Sequence, residues 1–161
     1  IISVGIAVLD QFTKQMIVRS LDQCEFGFCD SIELLSFLKL ILLYNDGAAF
    51  SILSDAGGWQ RWFLSIVSFA VSCFIFFWIL RLKPSEHLLG FALAIILGGA
   101  IGNLIDRVLL GHVVDFILLY YADFFFPTFN VADTAISVGA ILLIIEMFYK
   151  KKGRDEHGNK T

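Results

Sequence analysis

Long apolar runs constrain this chain more than any other feature. The clearest extends from Trp59 to Leu80, begins with aromatic residues and ends before the basic Arg81 and Lys83. A helix needs about 20 mainly apolar residues to cross the hydrocarbon core of a bilayer. The mean hydropathy is +0.79 and only 17% of the residues are charged, whereas soluble domains carry roughly a quarter. We therefore predict a single polytopic membrane domain covering residues 1–161.

Four such runs predict a membrane all-α bundle of four transmembrane helices. The predicted helices cover about residues 1–20, 59–80, 88–105 and 131–149. Residues 21–58 are mixed and acidic, and the turn signal Asn45-Asp46-Gly47 favours strands over a further helix. We expect a small β-rich extracytoplasmic module there, between the first and second helices. The polar residues at about 150–161 are predicted to form a flexible cytoplasmic tail.

Basic residues orient the predicted bundle. Arg81 and Lys83 lie in one loop and further lysines lie in the tail, which a four-helix bundle places on the same side. Because positively charged loops tend to stay in the cytoplasm, both termini are predicted to be cytoplasmic. Residues 21–58 and 106–130 are then extracytoplasmic. The net charge of −3 and the lack of a basic binding motif argue against a nucleic-acid partner.

Several ionisable residues interrupt the apolar runs. Such groups cost roughly 2.5–3.5 kcal/mol each at a helix centre and usually face a bundle interior or an aqueous cavity. Asp10 and Lys14 lie four residues apart on one helical face, which favours a structural ion pair. Asn103, Asp106 and Arg107 cluster at the end of the third helix. Two interpretations remain open: an interfacial cluster in which Asp106 pairs with an arginine, or a clamp that hydrogen-bonds peptide carbonyls.

Asp115 and Asp133 are the strongest candidates for chemistry, and we call them the aspartate pair. Asn130 followed by Asp133 is typical of a helix N-terminus, where the asparagine caps the helix and the acid complements its dipole. A cap needs no second carboxylate, yet Asp115 supplies one across a short connection. Two nearby carboxylates share a proton, which is the arrangement of aspartyl proteases. We expect Asp133, near a helix N-terminus, to be the more acidic member.

No metal or cofactor is predicted. His112 lies three residues before Asp115, but no second His or Cys completes a ligand spacing. The sequence also lacks the motifs G-x-S-x-G, P-loop and H-E-x-x-H. Cys24 and Cys29 lie in the outer module, where an oxidising compartment permits a disulfide. Their spacing alone does not decide whether they are joined.

Five short motifs occur along the chain. They are LDQxxK at Leu9–Lys14, YNDGAAFS at Tyr44–Ser51, GGAIGNLIDR at Gly98–Arg107, GHVVDF at Gly111–Phe116 and FNVADT at Phe129–Thr134. Together they resemble the lipoprotein signal peptidases (signal peptidase II) of bacteria. The resemblance covers nearly the whole chain, in the family's order and spacing. Any one motif is weak, whereas the five together are highly specific.

The resemblance implies an intramembrane aspartyl endopeptidase of the bacterial cytoplasmic (inner) membrane, with its active site near the outer face. Such an enzyme cleaves prolipoproteins before the diacylglyceryl-modified cysteine of the lipobox, and Asp115 and Asp133 would be its catalytic dyad. The implied partners are diacylglyceryl-modified prolipoproteins, membrane lipids and cyclic peptide inhibitors of the globomycin type. By resemblance, the substrate-binding positions are Asn45, Gly47, Asn103, Arg107, Asn130 and Ala132, and the structural polar positions are Asp10, Lys14 and Asp106. Asp46 departs from the family, which often has a smaller neutral residue there.

Two other classes remain open on the sequence alone. A small proton-coupled membrane transporter could use the same aspartates as a proton relay, although the repeated halves and broken helices common in transporters are not evident. A structural membrane subunit would use the acids only as caps and ion pairs. Replacing Asp115 by Asn should abolish proteolysis, uncouple transport, or change little beyond stability, respectively.

Overall fold

The computed structural model describes residues 1–24, 30–47 and 58–158, and side chains up to residue 149. Within these ranges it contains four helices and four strands. In chain order they are α1 (Ile2–Ser20), β1 (Ile32–Leu35), β2 (Leu38–Asn45), α2 (Trp59–Ile79), α3 (His87–Leu109), β3 (Val113–Tyr121), β4 (Phe124–Phe125) and α4 (Val131–Gly158). The helices begin close to their predicted positions, because each follows a continuous apolar run. α3 ends at Leu109 instead of Ile105, and α4 continues into the segment predicted as a tail.

α3 is the central helix of the bundle. It packs against α1, α2 and α4, and 50% of its apolar stretch is buried. A Cβ atom added at Gly98 would lie 2.7 Å from the backbone oxygen of Ser3, and one at Gly102 would lie 2.6 Å from Oδ2 of Asp10. Real Cβ atoms essentially never come this close to another atom. The two glycines therefore let α1 approach α3 closely and bring a polar face of α1 into the bundle.

Three helices in the described part of the chain, α2, α3 and α4, are long and apolar enough to cross a membrane. Only 17% of the α2 stretch and 11% of the α4 stretch are buried within the protein. Soluble proteins rarely expose apolar faces of this extent, so these faces suit contact with lipid. α1 has a similar length, but it is less apolar because it carries Asp10, Lys14 and Arg19.

The predicted β-rich module forms only half of the sheet. β1 and β2 come from the segment between α1 and α2, as expected, but β3 and β4 come from the connection between α3 and α4. The four strands are antiparallel in the order β1-β2-β3-β4. The first six residues of β3 are almost all buried, so they lack the alternation of polar and apolar residues that marks a half-buried strand. That is why the sequence did not reveal β3.

Some sequence features lie partly outside the described residues. Cys24 is disulfide-bonded, whereas Cys29, its candidate partner, is outside the described residues. The motif at Tyr44–Ser51 is described only as far as Gly47. The segment that contributes Asn45 is nevertheless fixed, because Asn45 ends β2 and pairs with Val113 of β3.

Candidate active site

The candidate site lies at the end of the bundle where α3 ends and α4 begins. The chain leaves α3 through Gly111, whose φ of +94° favours glycine, and enters β3 two residues later. Arg61 of α2 secures this end of α3: Nε donates to the carbonyl oxygen of Arg107 at 2.8 Å and Nη2 to that of Val108 at 2.7 Å. Helix C-termini leave such carbonyls free and favour cations. The turn and the strand pairing together place Asp115 beside the end of β2.

Asp115 is a buried carboxyl without a cationic partner in the described part of the chain. Asp115 is 2% exposed. In the pairing of β2 with β3 it lies opposite Leu43. Oδ2 accepts a hydrogen bond from Nδ2 of Asn45 at 2.9 Å, and Oδ1 accepts one from Nδ2 of Asn130 at 2.7 Å. Burial raises the pKa of Asp115 to about 7, and the bond from Asn45 opposes this shift. The carboxyl therefore keeps its proton until the pH approaches about 7.

Asp133 lies in the first turn of α4 and is held by two asparagines. Nδ2 of Asn103 donates to its Oδ1 at 2.7 Å. The backbone N–H of Asp133 donates to Oδ1 of Asn130 at 2.9 Å, and the backbone N–H of Asn130 lies 3.3 Å from Oδ2 of Asp133. These reciprocal bonds confirm the predicted capping arrangement. The cap and the second carboxylate are present together, so the two interpretations of Asp133 do not exclude each other.

A cavity of about 510 Å³ lies over the aspartate pair. Five of the predicted site residues form its polar wall: Asn45, Asn103, Arg107, Asp115 and Asp133. The remaining wall is mostly apolar and comes from β3, residues 126–129 and the first turns of α4. Phe129 of this segment is bonded through its backbone to Ile117 of β3. The site thus combines a polar wall with apolar walls, one of which continues along the lipid-facing helix α4.

Arg107 lines the cavity without a tight partner. Its Nη1 lies 3.4 Å from the carbonyl oxygen of Asn103, and its Nη2 lies 3.4 Å from that of Gly47. Both distances are long for hydrogen bonds between nitrogen and oxygen. The guanidinium therefore keeps N–H donors that a carbonyl group in the cavity can accept.

Three of the predicted substrate-binding residues do not line the cavity. Asn130 and Ala132 are 0% exposed. Asn130 donates to Asp115, and the backbone N–H of Ala132 donates to Oδ1 of Asp10 at 2.8 Å. Gly47 donates its N–H to Oδ1 of Asn45 at 3.0 Å. Asn130 and Ala132 are therefore buried behind the polar wall, and all three residues contact other site residues.

Behind this wall lies a second acidic group, which we call the ion triad: Asp10, Lys14 and Asp106. Nζ of Lys14 lies 2.8 Å from Oδ2 of Asp10 and 2.8 Å from Oδ2 of Asp106. The predicted ion pair between Asp10 and Lys14 is therefore present. The alternative in which Asp106 pairs with an arginine is wrong, because α3 turns Asp106 toward α1 and the lysine there. All three residues are at most 1% exposed.

Two residues that support the site from outside the cavity were missed by sequence reasoning. Gln11 donates Nε2 to Oδ1 of Asp106 at 2.7 Å and to the carbonyl oxygen of Gly102 at 3.1 Å. Arg61 secures the end of α3, as described above. The sequence could have indicated Arg61, because it is the only charged residue inside the clearest apolar run. Ionisable residues within membrane segments usually have a partner or a function. The only indication for Gln11 was its position in the LDQ motif.

His112 and Asp46 have unremarkable surroundings. The ring of His112 lies 4.2 Å from the ring of Tyr44, centroid to centroid. Among residues 1–24, 30–47 and 58–158, no group of three His, Cys, Asp or Glu side chains could hold a metal ion. Asp46 is exposed. The ionisable residues that meet at the cavity are thus Arg107 and the aspartate pair.

Relatives of this chain fall in one family. A family model described as signal peptidase (SPase) II matches residues 2–149. A lipoprotein signal peptidase of Acinetobacter baumannii is 48% identical over 158 residues, which cover 98% of this chain and 87% of the relative. That of Cellvibrio japonicus is 49% identical over 141 residues, 88% of this chain and 80% of the relative. That of Cupriavidus necator is 50% identical over 141 residues, 88% of this chain and 77% of the relative.

Two solved structures share the fold. One, described as a bacterial membrane enzyme at 2.3 Å resolution, has a TM-score of 0.81 and 32% identity, and the match covers 94% of this chain and 88% of the other. A second, at 1.9 Å resolution, has a TM-score of 0.75 and 33% identity, covering 91% of this chain and 89% of the other. Nothing in these comparisons supports the transporter alternative. The matches extend over nearly all of the sequence, and the chain belongs to the signal peptidase II family.

Proposed function

We propose that this protein is an aspartyl endopeptidase that removes signal peptides from prolipoproteins, with Asp115 and Asp133 as its catalytic dyad. One observation supports the dyad above all. Two carboxylates from different elements, β3 and α4, meet at the floor of one cavity, and each is held by asparagine N–H groups. Family membership supports the reaction and the substrate class.

The two carboxyls have different environments, which suggests separate roles. Asp115, with a pKa raised to about 7, is the protonated member. Asp133 lies at a helix N-terminus, which favours negative charge, and is the ionised member. It takes a proton from a water molecule while the water oxygen bonds to the scissile carbonyl carbon, and Asp115 gives its proton to the carbonyl oxygen. When the C–N bond breaks, Asp133 returns its proton to the leaving nitrogen, and Asp115 recovers one from the tetrahedral intermediate.

The cavity suits a substrate with both peptide and lipid parts. Arg107 and Asn103 face the space beside the aspartates and would hydrogen-bond peptide carbonyls on either side of the scissile bond. The apolar wall on α4, which includes Ile136 and Ile141, would contact the signal helix or the acyl chains. Cleavage before a diacylglyceryl-modified cysteine fits this division. Globomycin-type cyclic peptides, as partners, would occupy the same cavity.

The proposed topology has four membrane spans, with α1 as the first, in the bacterial inner membrane. α2, α3 and α4 meet the length and apolarity that spanning requires. The charged groups of α1 do not oppose a fourth span, because Asp10 and Lys14 face the bundle interior. Arg81 and Lys83 lie at the opposite end of α3 from the aspartate pair, which supports cytoplasmic termini and an active site near the outer face. Residues 1–161 then form one membrane domain with a cytoplasmic tail.

The experiment that tests this proposal is cleavage of a diacylglyceryl-modified prolipoprotein by the purified protein in lipid or detergent. Wild type, Asp115→Asn and Asp133→Asn would be compared, with an unlipidated precursor as the substrate control. We expect wild type to cut only the lipidated precursor, and each variant to lose activity by about 10³-fold or more. A folded variant with near-wild-type activity would rule out the dyad. Cleavage of both precursors would rule out recognition of the lipid.

A further inference from the structure

Asn103 lies between the ion triad and the aspartate pair. Its Oδ1 lies 2.9 Å from Nζ of Lys14, on the side of the triad, and its Nδ2 lies 2.7 Å from Oδ1 of Asp133, on the side of the cavity. Oδ1 also accepts from Nδ2 of Asn130 at 3.2 Å. A single side-chain amide therefore joins a buried cation to a proposed catalytic carboxylate.

The chemistry of Lys14 determines which way this amide points. An ammonium group has three donors and no acceptor, so the atom that meets it can only be the oxygen of Asn103. The nitrogen of the amide must then face Asp133, to which it offers an N–H. Were the amide turned over, two donors would face each other at Lys14 and two acceptors would face each other at Asp133. Burial makes such unpaired contacts costly.

Lys14 itself has few alternatives. It is 1% exposed and its ammonium has three partners at hydrogen-bonding distance: Oδ2 of Asp10, Oδ2 of Asp106 and Oδ1 of Asn103. Three donors and three acceptors match one to one. The two carboxylates hold the cation in place from α1 and α3, which leaves its remaining N–H directed at the amide.

We propose that Lys14 is a positioning residue for the reaction: from inside the bundle it fixes the amide of Asn103 so that an N–H always faces Asp133. This role rests on the proposed dyad and goes beyond the structural ion pair. The N–H stabilises the ionised form of Asp133 and holds that carboxylate in one orientation for its water. Without Lys14 the oxygen of the Asn103 amide is held only by the 3.2 Å bond from Nδ2 of Asn130. The amide then turns more easily, and Asp133 loses a donor in a fraction of the molecules.

The charged groups around Asp133 define what else could change its titration. They are Arg107 from α3, Asp115 from β3 and the triad behind Asn103. Removing Lys14 deletes one positive charge as well as one donor. The test must therefore separate the loss of charge from the loss of amide orientation.

The test measures the pH dependence of kcat/KM for three variants on the lipidated prolipoprotein. Lys14→Met removes the donor and the charge. The double variant Asp10→Asn with Lys14→Met removes the donor but keeps the net charge of the triad, and the amide oxygen introduced at position 10 can still accept from Ala132. Gln11→Leu is the matched control, because Gln11 contacts Asp106 in the same triad but has no bond to Asn103.

We expect both variants that lack Lys14 to lose about 10²-fold in kcat/KM, as a misplaced catalytic group does. The acid limb of their pH profiles should move up by about one pH unit. Gln11→Leu should lose stability only and keep the wild-type acid limb. If Lys14→Met does not fold, the test relies on the charge-matched double variant, Asp10→Asn with Lys14→Met. An acid limb unchanged in the folded charge-matched variant would overturn the positioning role. The dyad itself fails separately, if Asp115→Asn or Asp133→Asn retains activity.

Discussion

Two groups of carboxyls lie next to each other in this protein, the ion triad and the aspartate pair, and they are stabilised in different ways. In the ion triad, an ammonium group lies 2.8 Å from each of two carboxylates. In the aspartate pair, the hydrogen-bond donors are asparagine side chains and a backbone N–H, at 2.7 to 3.3 Å. No Lys or Arg side chain in the described part of the chain forms an ion pair with Asp115 or Asp133.

The difference explains how one small bundle can hold both a rigid framework and reactive groups. A buried carboxylate beside a cation has its charge balanced and stays in a fixed contact. Removal of one partner is strongly destabilising, because it leaves the other charge buried and unpaired. An amide N–H carries no net charge, so it orients a carboxylate but leaves it free to exchange a proton. The aspartate pair also lines a cavity, whereas the triad is sealed behind it. The triad thus forms a framework from which Lys14 orients Asn103, and the aspartate pair is the proposed site of the chemistry.

The largest expected effect on stability comes from Asp10→Ala. This change removes one carboxylate from Lys14 and leaves the backbone N–H of Ala132 without its acceptor. We expect the free energy of unfolding to fall by about 3–5 kcal/mol, measured by tryptophan fluorescence during denaturant unfolding in micelles. An Asp10→Ala variant as stable as wild type would show that the triad is not the framework of the bundle.

Asp115→Asn should have the opposite effect on stability. The pKa of Asp115 is raised to about 7 in the folded protein, above its usual value of about 3.9. The folded state therefore binds a proton that the unfolded chain has released, and this group's contribution to stability falls as pH rises from about 4 to 7. We expect Asp115→Asn to be more stable than wild type at pH 8 by about 1–3 kcal/mol, which is the ionisation cost of Asp115 less one lost hydrogen bond. A variant less stable than wild type at that pH would contradict the assignment.

Gly102→Ala tests whether the triad depends on close helix contact. The added Cβ would lie 2.6 Å from Oδ2 of Asp10, so α1 must move away from α3. We expect a loss of about 1–3 kcal/mol in the free energy of unfolding. Gly5→Ala on the same helix pair is the control, since nothing lies within 4 Å of its added Cβ, and it should stabilise α1 by about 0.5–1 kcal/mol. Equal effects of the two changes would count against the packing argument.

The smallest expected effect is that of Asn45→Ala on the pH profile. The hydrogen bond from Asn45 lowers the pKa of Asp115 against the effect of burial. In the proposed mechanism the protonated form of Asp115 is the active one, so the alkaline limb of the pH profile should fall near pH 7 in wild type. Without Asn45 we expect this limb to move up by about half to one pH unit. A limb that moves down would show that Asn45 favours the protonated carboxyl instead.

The parts that could be predicted from sequence are those decided by neighbours along the chain. Helix positions followed from continuous apolar runs, the bond between Asn130 and Asp133 from a three-residue spacing, and the pair of Asp10 with Lys14 from a four-residue spacing. Such signals are local, because a helix brings residues three and four apart onto one face.

The parts that could not be predicted depend on residues far apart in the chain. The bond from Lys14 to Asn103 spans 89 positions, and that from Asn45 to Asp115 spans 70. Nothing in either segment specifies its partner, so Asp106 could be paired with an arginine on spacing alone. β3 was missed for a related reason, since its buried faces hide the alternation that would mark a strand. The motifs of the family supplied the predicted site residues, but their division between cavity wall and framework required the fold.

The most direct test of this account is an infrared titration of the protonated carboxyl band in wild type, Asp115→Asn and Asp133→Asn. We expect wild type to have a protonated buried carboxyl that titrates at a pKa of about 7. The band should be missing from Asp115→Asn and present in Asp133→Asn. If the band instead survives in Asp115→Asn and disappears in Asp133→Asn, the proton resides on the other aspartate and the assignment of roles is reversed. If wild type shows no such band near neutral pH, the two carboxyls do not share a proton, and the proposed mechanism is wrong.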